Sequence, residues 1–271
     1  MTNKWKKDIG FHVPKLTLLE IWPLNTFIGD KKNINIIDVG CNTGIWCQAF
    51  MNTFGSQVKE YHSIEPLDGN LDIFRSRLSD ELVPFREKIA IHQACIGPND
   101  GEVEIRYHSE VSTLASVVLK EVKVGNKVIP NDKVKMIRQI SLDSFCSLNK
   151  LDHINLIKVD VEGYEWDVFS GASALLRSNK IDMILFEFGQ HQGKLNQSFK
   201  QFWDLLVGNG YNIYRQAVGR NFFGLQHISD YDESLEDFDS MWMILASKTM
   251  HDEKLNTPFV IGKYYPLKKN L

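Results

Sequence analysis

The segment N-L-I-K-V-D-V-E-G-Y-E-W, residues 155–166, runs an apolar stretch into three acids, Asp160, Glu162 and Glu165. Unpaired carboxylates are costly to withdraw from water, so a buried strand that ends in them raises the question of what charge they serve. If residues 156–162 stay extended, side chains alternate with period two and Asp160 and Glu162 share one face with Lys158. A carboxylate in that position can accept a proton from a neutral nucleophile as a new bond forms. Two acids so close titrate as a pair unless a cation or donor separates them, and Lys158 is placed to do so. Glu165 opens the following helix, where capping at the positive end of the macrodipole competes with a catalytic role. Glu187 lies near the end of I-D-M-I-L-F-E-F (181–188) and can meet the cluster across adjacent strand ends; His191 follows in F-E-F-G-Q-H-Q-G. The candidate catalytic residues are therefore Asp160, Glu162, Glu187 and His191. For Asp160 and Glu162 the alternative is ligand positioning without proton transfer, and for His191 a polar loop residue.

A second constellation, D-V-G-C-N-T-G (38–44), joins an apolar strand to a helix. Glycines at such a turn let backbone approach a ligand at the carboxyl ends of the strands. The spacing is not G-x-G-x-x-G: Asn42 stands where the central glycine would admit a pyrophosphate, which argues against NAD. No G-K-[ST] follows for a nucleoside triphosphate. A cofactor without phosphate suits the pattern, and Glu65 in S-I-E-P, at the next strand end, can accept hydrogen bonds from both hydroxyls of a ribose. Asp38 can bind a ligand's amino group directly or through water. The alternative is that Gly40 and Gly44 serve turn and packing and that Glu65 is an ordinary exposed acid.

The elements that must position these residues alternate in kind. Strands are expected at 34–40, 60–66, 89–97, 154–160, 181–188, 211–216 and 241–248, with helices at 45–54, 71–82, from Tyr164 onward and at 198–210. Such alternation predicts crossover units and a mainly parallel sheet, and the last two strands can pair antiparallel at its edge. Residues 99–140 break the rhythm with period-two alternation and Gly-Asn and Pro-Asn-Asp turn signals, so a hairpin insertion is expected there. No repeat or linker divides the chain, which reads as one domain. It comprises an N-terminal helical extension over 1–32 with a helix near Lys15–Phe27, a catalytic core over 33–249, and a tail over 250–271.

Composition narrows the classes. The 271 residues are 43% hydrophobic, enough for a sizeable core, and 31 basic against 34 acidic residues give a net charge of −3, with no general drive toward nucleic acid or anionic membrane. No run approaches the roughly 20 apolar residues that span a bilayer, and the amino terminus lacks a signal-peptide core, so a cytoplasmic location and no integral membrane segment are expected. Cys41, Cys47, Cys95 and Cys146 show no metal-finger spacing and read as reduced thiols, with Cys41 a packing residue.

Taken together, I-I-D-V-G-C-N-T-G (36–44), S-I-E-P (63–66), H-Q-A-C-I-G (92–97), I-S-L-D-S-F (140–145), I-N-L-I-K-V-D-V-E-G-Y-E-W-D-V-F-S-G-A-S-A-L-L (154–176) and M-I-L-F-E-F (183–188) resemble the FkbM-type methyltransferases over residues 34–190. The resemblance implies an α/β fold, the Rossmann-like class I methyltransferase sheet of seven strands with the last antiparallel, and S-adenosylmethionine as cofactor. It implies that Asp38, Gly40, Asn42 and Gly44 surround the methionine part, that Glu65 holds the ribose and that Ala94 and Cys95 lie beside adenine; Cys41, Pro66 and Asp160 complete the expected cofactor-binding set. It also supplies the acceptor class, a hydroxyl of a sugar in a glycan, glycolipid or nucleotide-linked precursor. A polyketide hydroxyl, a peptide amide nitrogen or a non-catalytic cofactor-binding scaffold are the alternatives. Asp160-Val161-Glu162-Gly163-Tyr164 is similar to the strand end of macrocin-type O-methyltransferases. There the first acid holds magnesium and the second is the base, so Glu162 becomes the base candidate and Mg2+ a further cofactor to test. Those enzymes carry paired aspartates on the next strand, where this chain has Glu187 alone. Trp203, Tyr214, Phe222, Phe223 and Trp242 are aromatic residues available for an acceptor pocket, with Phe222 and Phe223, in a Gly-flanked loop, the better placed.

Overall fold

The computed structural model describes residues 17, 20–124, 127–219 and 222–250. Its centre is β1 (Ile34–Val39), whose Ile36, Ile37 and Val39 are all buried. A strand covered on both faces has no polar side to show, which is why four of its six residues are Ile or Val and its one acid, Asp38, is buried. Parallel neighbours are β2 (Val58–Ile64) on one side and β9 (Leu156–Val159) on the other. Outside them lie β3 (Ile89–His92) and β10 (Met183–Gly189), again parallel. Then β13 (Met241–Ser247) runs antiparallel to β10 and is itself paired antiparallel with β11 (Asn212–Gly219).

The seven expected strands are present, and β12 (Phe222–Ile228) adds an eighth beyond β11, for the order β12-β11-β13-β10-β9-β1-β2-β3. The predicted antiparallel pair β11/β13 therefore lies one strand inside the edge. Phe222 and Phe223 belong to β12 rather than to a loop; Gly224 interrupts the alternation that would have marked a strand. Their side chains lie outside what the structure describes.

Helices α1 (Leu24–Ile28), α2 (Ile45–Phe54) and α3 (Asp68–Leu78) precede β1, follow β1 and follow β2. On the far side come α4 (Leu142–Leu148), α5 (Glu165–Ser170), α6 (Ser173–Arg177), α7 (Gln190–Lys194) and α8 (Phe199–Gly208). The single helix expected from Tyr164 is split at Gly171, where a Cβ would stand 2.0 Å from the Gly97 carbonyl oxygen. Period two on β10 divides the core: Phe186 and Phe188 pack with Phe199 and Phe202, while Met183 and Leu185 face Phe50, Phe54 and Tyr61. Glu187 shares the face of Met183 and Leu185.

The run 89–97 is not one strand. It leaves the main sheet after His92, and β4 (Cys95–Ile96) joins a small sheet with β8 (Lys133–Ile140), which pairs antiparallel with β5 (Gly101–Tyr107). The hairpin β6 (Glu121–Val124)/β7 (Lys127–Pro130) completes the predicted insertion. Among the described residues, Thr17, Glu20 and Ile21 are helical ahead of a turn at Trp22–Pro23, and the expected tail from 251 lies outside them. No described helix is long and apolar enough to cross a membrane.

Candidate active site

The chain leaves β1 at Gly40 with φ +80°, and a Cβ there would lie 1.8 Å from the Asp160 carbonyl oxygen. Only glycine allows both the left-handed backbone and this approach of the β1 and β9 ends. The amides of Gly40 and Cys41 donate to the Ile64 carbonyl at 2.9 and 3.0 Å, binding the turn to the end of β2. Asn42, itself at φ +50°, accepts from the Thr43 amide at 2.7 Å and donates its own amide to Glu65 Oε2 at 3.1 Å. Glu65 Oε1 accepts from the Leu67 amide and from Asn70 Nδ2, each at 3.0 Å. Burial raises the Glu65 carboxyl to about 7 against these donors.

These groups open on a cavity of about 320 Å³ at the carboxyl ends of the parallel strands. Gly40, Cys41 and Asn42 line it from the turn, Glu65 and Pro66 from the end of β2, and Ala94 and Cys95 from the break between β3 and β4. The structure thus brings these seven expected cofactor positions to one wall. Asp38 and Gly44 are not on it. Asp38 is fully buried beneath, accepting from Tyr61 Oη at 2.9 Å with Lys158 Nζ 3.7 Å away, so two neighbours reach it before a ligand amino group can. Gly44 begins α2 at φ +78°, pressed against the Phe74 ring. Burial pushes the Cys41 thiol well up, in keeping with a packing residue.

The insertion roofs this wall through Ser112, Thr113, Ala115 and Val117. The Ser112 carbonyl accepts from Asn42 Nδ2 at 2.9 Å and Asn70 Nδ2 at 2.8 Å, and its amide donates to Asn70 Oδ1 at 3.1 Å. Ser116 Oγ donates to the Glu162 carbonyl at 2.7 Å. One buried asparagine therefore ties Glu65 to the roof, a link that sequence spacing cannot show.

The acid cluster closes the opposite end, by a different route from the one expected. The extended run stops at Val159, and Glu162 takes a left-handed conformation, φ +55°, followed by Gly163 at φ +101°. Glu162 reaches the cavity from this turn, not by strand alternation. Asp160, Glu162 and Glu187 all line it; His191 does not, but its Nε2 lies 2.9 Å from Glu162 Oε2. Burial raises the Glu162 carboxyl, against the His191 hydrogen bond. Burial lowers the His191 imidazolium, yet Glu162 more than offsets it and the net shift is upward. Glu187 is pushed well up by burial, then by the charges of Asp160, Glu162 and Glu165.

Glu165 is occupied structurally. Its Oε1 accepts from the Val161 and Gly163 amides at 3.1 and 3.3 Å and Oε2 from Gln192 Nε2 at 2.6 Å, so it caps the loop, as its helix-start position allows. Lys158 does share a face with Asp160, 2.9 Å from Oδ2.

Sequence reading passed over Glu20 and Trp46, both of which line the cavity. Glu20 is raised to about 7 by burial, opposed by Lys158. Its signal was an acid inside the apolar run L-T-L-L-E-I-W (16–22). Of the later aromatic residues, Trp203 and Tyr214 are core and Trp242 carries the Arg215 guanidinium 3.4 Å over its ring; Phe222 and Phe223, the better-placed pair, have side chains outside those described. Among the described residues, Trp46 and Tyr164 are the aromatic residues at the cavity. Magnesium finds no support, since among the described residues no group of three or more His, Cys, Asp or Glu side chains is placed to hold a metal ion.

Strand order, the antiparallel β13 and a cavity across the ends of β1, β2 and β9 define the α/β fold of class I methyltransferases. A family model described as the methyltransferase FkbM domain matches residues 38–213, and the chain belongs to this family. A crystal structure of methyltransferase FkbM from Methylobacillus flagellatus KT is similar at 15% identity and TM-score 0.51, covering 84% of this chain and 47% of that one. The chain thus spans about half the length of that protein. Precorrin-6y C5,15-methyltransferase from Geobacter metallireducens GS-15 aligns at 8% identity and TM-score 0.43, over 89% and 93% of the two chains. A human methyltransferase 10 domain containing protein aligns at 11% and 0.44, over 87% and 82%. No curated protein gives a significant sequence match.

Proposed function

We propose that the chain is an S-adenosylmethionine-dependent O-methyltransferase, with residues 33–249 as its catalytic core, acting on a hydroxyl of a sugar in a glycan, glycolipid or nucleotide-linked precursor. The observation that carries the reading is the Glu162 carboxylate, which lines the same cavity as the Gly40 turn and Glu65 and is held by His191 at 2.9 Å.

The donor set fits the cofactor. Glu65 offers a carboxylate to a ribose, Ala94 and Cys95 line the wall beside it, and at the far end the acids Glu20, Asp160, Glu162 and Glu187 outnumber Lys158. A pyrophosphate would meet repulsion there. When bound, S-adenosylmethionine supplies an electrophilic methyl group on a cationic sulfonium. Glu162 Oε1 is the atom that takes the acceptor's proton, since Oε2 is held by His191 Nε2–H. The raised position of this carboxyl makes it a stronger base than an exposed glutamate. Glu187, which lines the cavity without an ion-pair partner, sets negative potential beside a developing cation. Ser112, Thr113 and their neighbours exclude water from above.

Calorimetric titration with S-adenosylhomocysteine, with NAD as control, tests the cofactor. Saturable binding of the first alone is expected; NAD binding overturns the reading. Glu162→Gln keeps the shape, so homocysteine-product affinity should hold within about threefold while methyl transfer to a sugar acceptor falls at least about a hundredfold. Unchanged transfer removes Glu162 from the role of base.

A further inference from the structure

The similarity to metal-dependent O-methyltransferases puts a magnesium ion on Asp160, and the donors found around Asp160 do not fit one. A hard divalent cation of that size needs near-octahedral oxygen ligands at roughly 2.1 Å. The charge facing Asp160 is instead an ammonium. Lys158 projects from β9 at the register of Asp38 on β1 and Leu185 on β10, walled in by strands on both sides and only 3% exposed. Its Nζ lies 2.9 Å from Asp160 Oδ2, 3.7 Å from Asp38 Oδ1 and 5.7 Å from the centre of the Trp46 ring. Asp38 Oδ1 has no hydrogen-bond donor of its own, so this ammonium is its counter-charge. Lys158 also lines the cavity, alongside Asp160, Glu20 and Glu187.

We infer that Lys158 is the resident cation of the transfer site: it stands where a divalent ion would have to sit on Asp160, holds that carboxylate in place, and makes the site metal-independent. A second cation within a few ångströms of a buried ammonium would be strongly repelled. Burial works against the charged lysine, but Asp160, Asp38 and Glu20 together outweigh it and hold the ammonium protonated well beyond the ordinary lysine range. Lys158 is a positioning residue in this account, acting through Asp160 and through its field on whatever oxygen is bound beside it. Only the identity of that oxygen rests on the O-methyltransferase reading.

The test is binding of Mn2+, followed by loss of its free electron-spin-resonance signal, to the full chain with S-adenosylhomocysteine present. Wild type and Lys158→Arg should leave Mn2+ free at millimolar concentration. Lys158→Ala, which opens the pocket between Asp38 and Asp160, should bind one Mn2+ at least about tenfold tighter than wild type, and adding Asp160→Asn should abolish that binding. Wild-type Mn2+ binding that disappears in Asp160→Asn overturns the assignment, as does a folded Lys158→Ala that gains none. If Lys158→Ala does not fold, wild type and Lys158→Arg still decide, because binding to either contradicts a resident cation and exclusion from both supports it. Calorimetric titration of the same proteins with S-adenosylhomocysteine reports on cofactor binding separately: Mn2+ exclusion without its binding would overturn the O-methyltransferase reading and leave the lysine assignment standing.

Discussion

The two ends of the cavity are built on opposite principles. At the Glu65 end the acid and its neighbours are matched: three donors on one carboxylate, and Asn42, Asn70 and Ser112 bonded to one another. At the Glu162 end matching is incomplete. Among the described residues the Glu187 carboxylate has no hydrogen bond or ion pair, and His191 Nδ1 is buried without a partner. A satisfied network rigidifies and presents a fixed surface, whereas desolvated, unmatched acids respond to charge brought by a ligand. In the proposed function the first end binds and the second carries the chemistry. Gly40 against Asp160 is the seam that joins them.

The seam is therefore where a single change does most. Gly40→Ala places a methyl group 1.8 Å from a carbonyl oxygen at φ +80°, so the turn has to move away from β9. We expect S-adenosylhomocysteine affinity to fall by at least about a hundredfold and stability by roughly 3 kcal/mol or more, read by calorimetry and thermal unfolding. A variant with wild-type affinity and melting temperature would show that the two ends are not coupled through this contact. Next in size, Glu162→Gln should remove transfer with little effect on binding. Glu65→Ala should do the reverse, weakening the cofactor about ten- to a hundredfold while transfer at saturating cofactor stays within about threefold. If instead Glu65→Ala lowers saturated turnover as much as Glu162→Gln does, the division of labour is wrong.

What could be read in advance follows the same division. The Gly40–Gly44 turn and Glu65 were legible because backbone turns and strand ends are local events with local signatures, whereas Ala94 and Cys95 came from the family resemblance, the break after His92 having no such signature. The acids at the other end were legible as a cluster but not as geometry. Nothing in V-D-V-E-G-Y says that extension stops at Val159 and that Glu162 turns left-handed to meet His191. Partners far apart in the chain were hidden altogether: Tyr61 on Asp38, Asn70 beneath Ser112, and Glu20 beside Trp46 depend on which faces meet across the sheet. β12 was missed because a strand at the sheet edge needs no uniform apolar run, and Gly224 breaks what alternation it has.

The smallest effect expected is also the one that reads both ends at once. Burial raises Glu65, Glu165 and Glu20 to about 7 from an unfolded value near 4.5, and raises Glu162 and Glu187 as well. An acid whose folded pKa lies above its unfolded one binds more protons when folded, so its favourable contribution is full below about 4.5 and is lost as pH climbs through about 7. His191, raised by Glu162, has the same sign: its contribution is present below the ordinary histidine value and declines above it. The melting temperature should therefore drop by roughly a few degrees between pH 6 and pH 8. Cofactor alters this in a way that separates the ends. A sulfonium favours ionised acids, so S-adenosylmethionine should gain affinity over the uncharged thioether S-adenosylhomocysteine as pH rises. Glu187→Gln should flatten that gain, while Asn70→Ala, at the matched end, should weaken both ligands by a common factor. A gain that survives Glu187→Gln unchanged would place the responsive charge elsewhere in the cavity, with Glu20 the next acid to substitute.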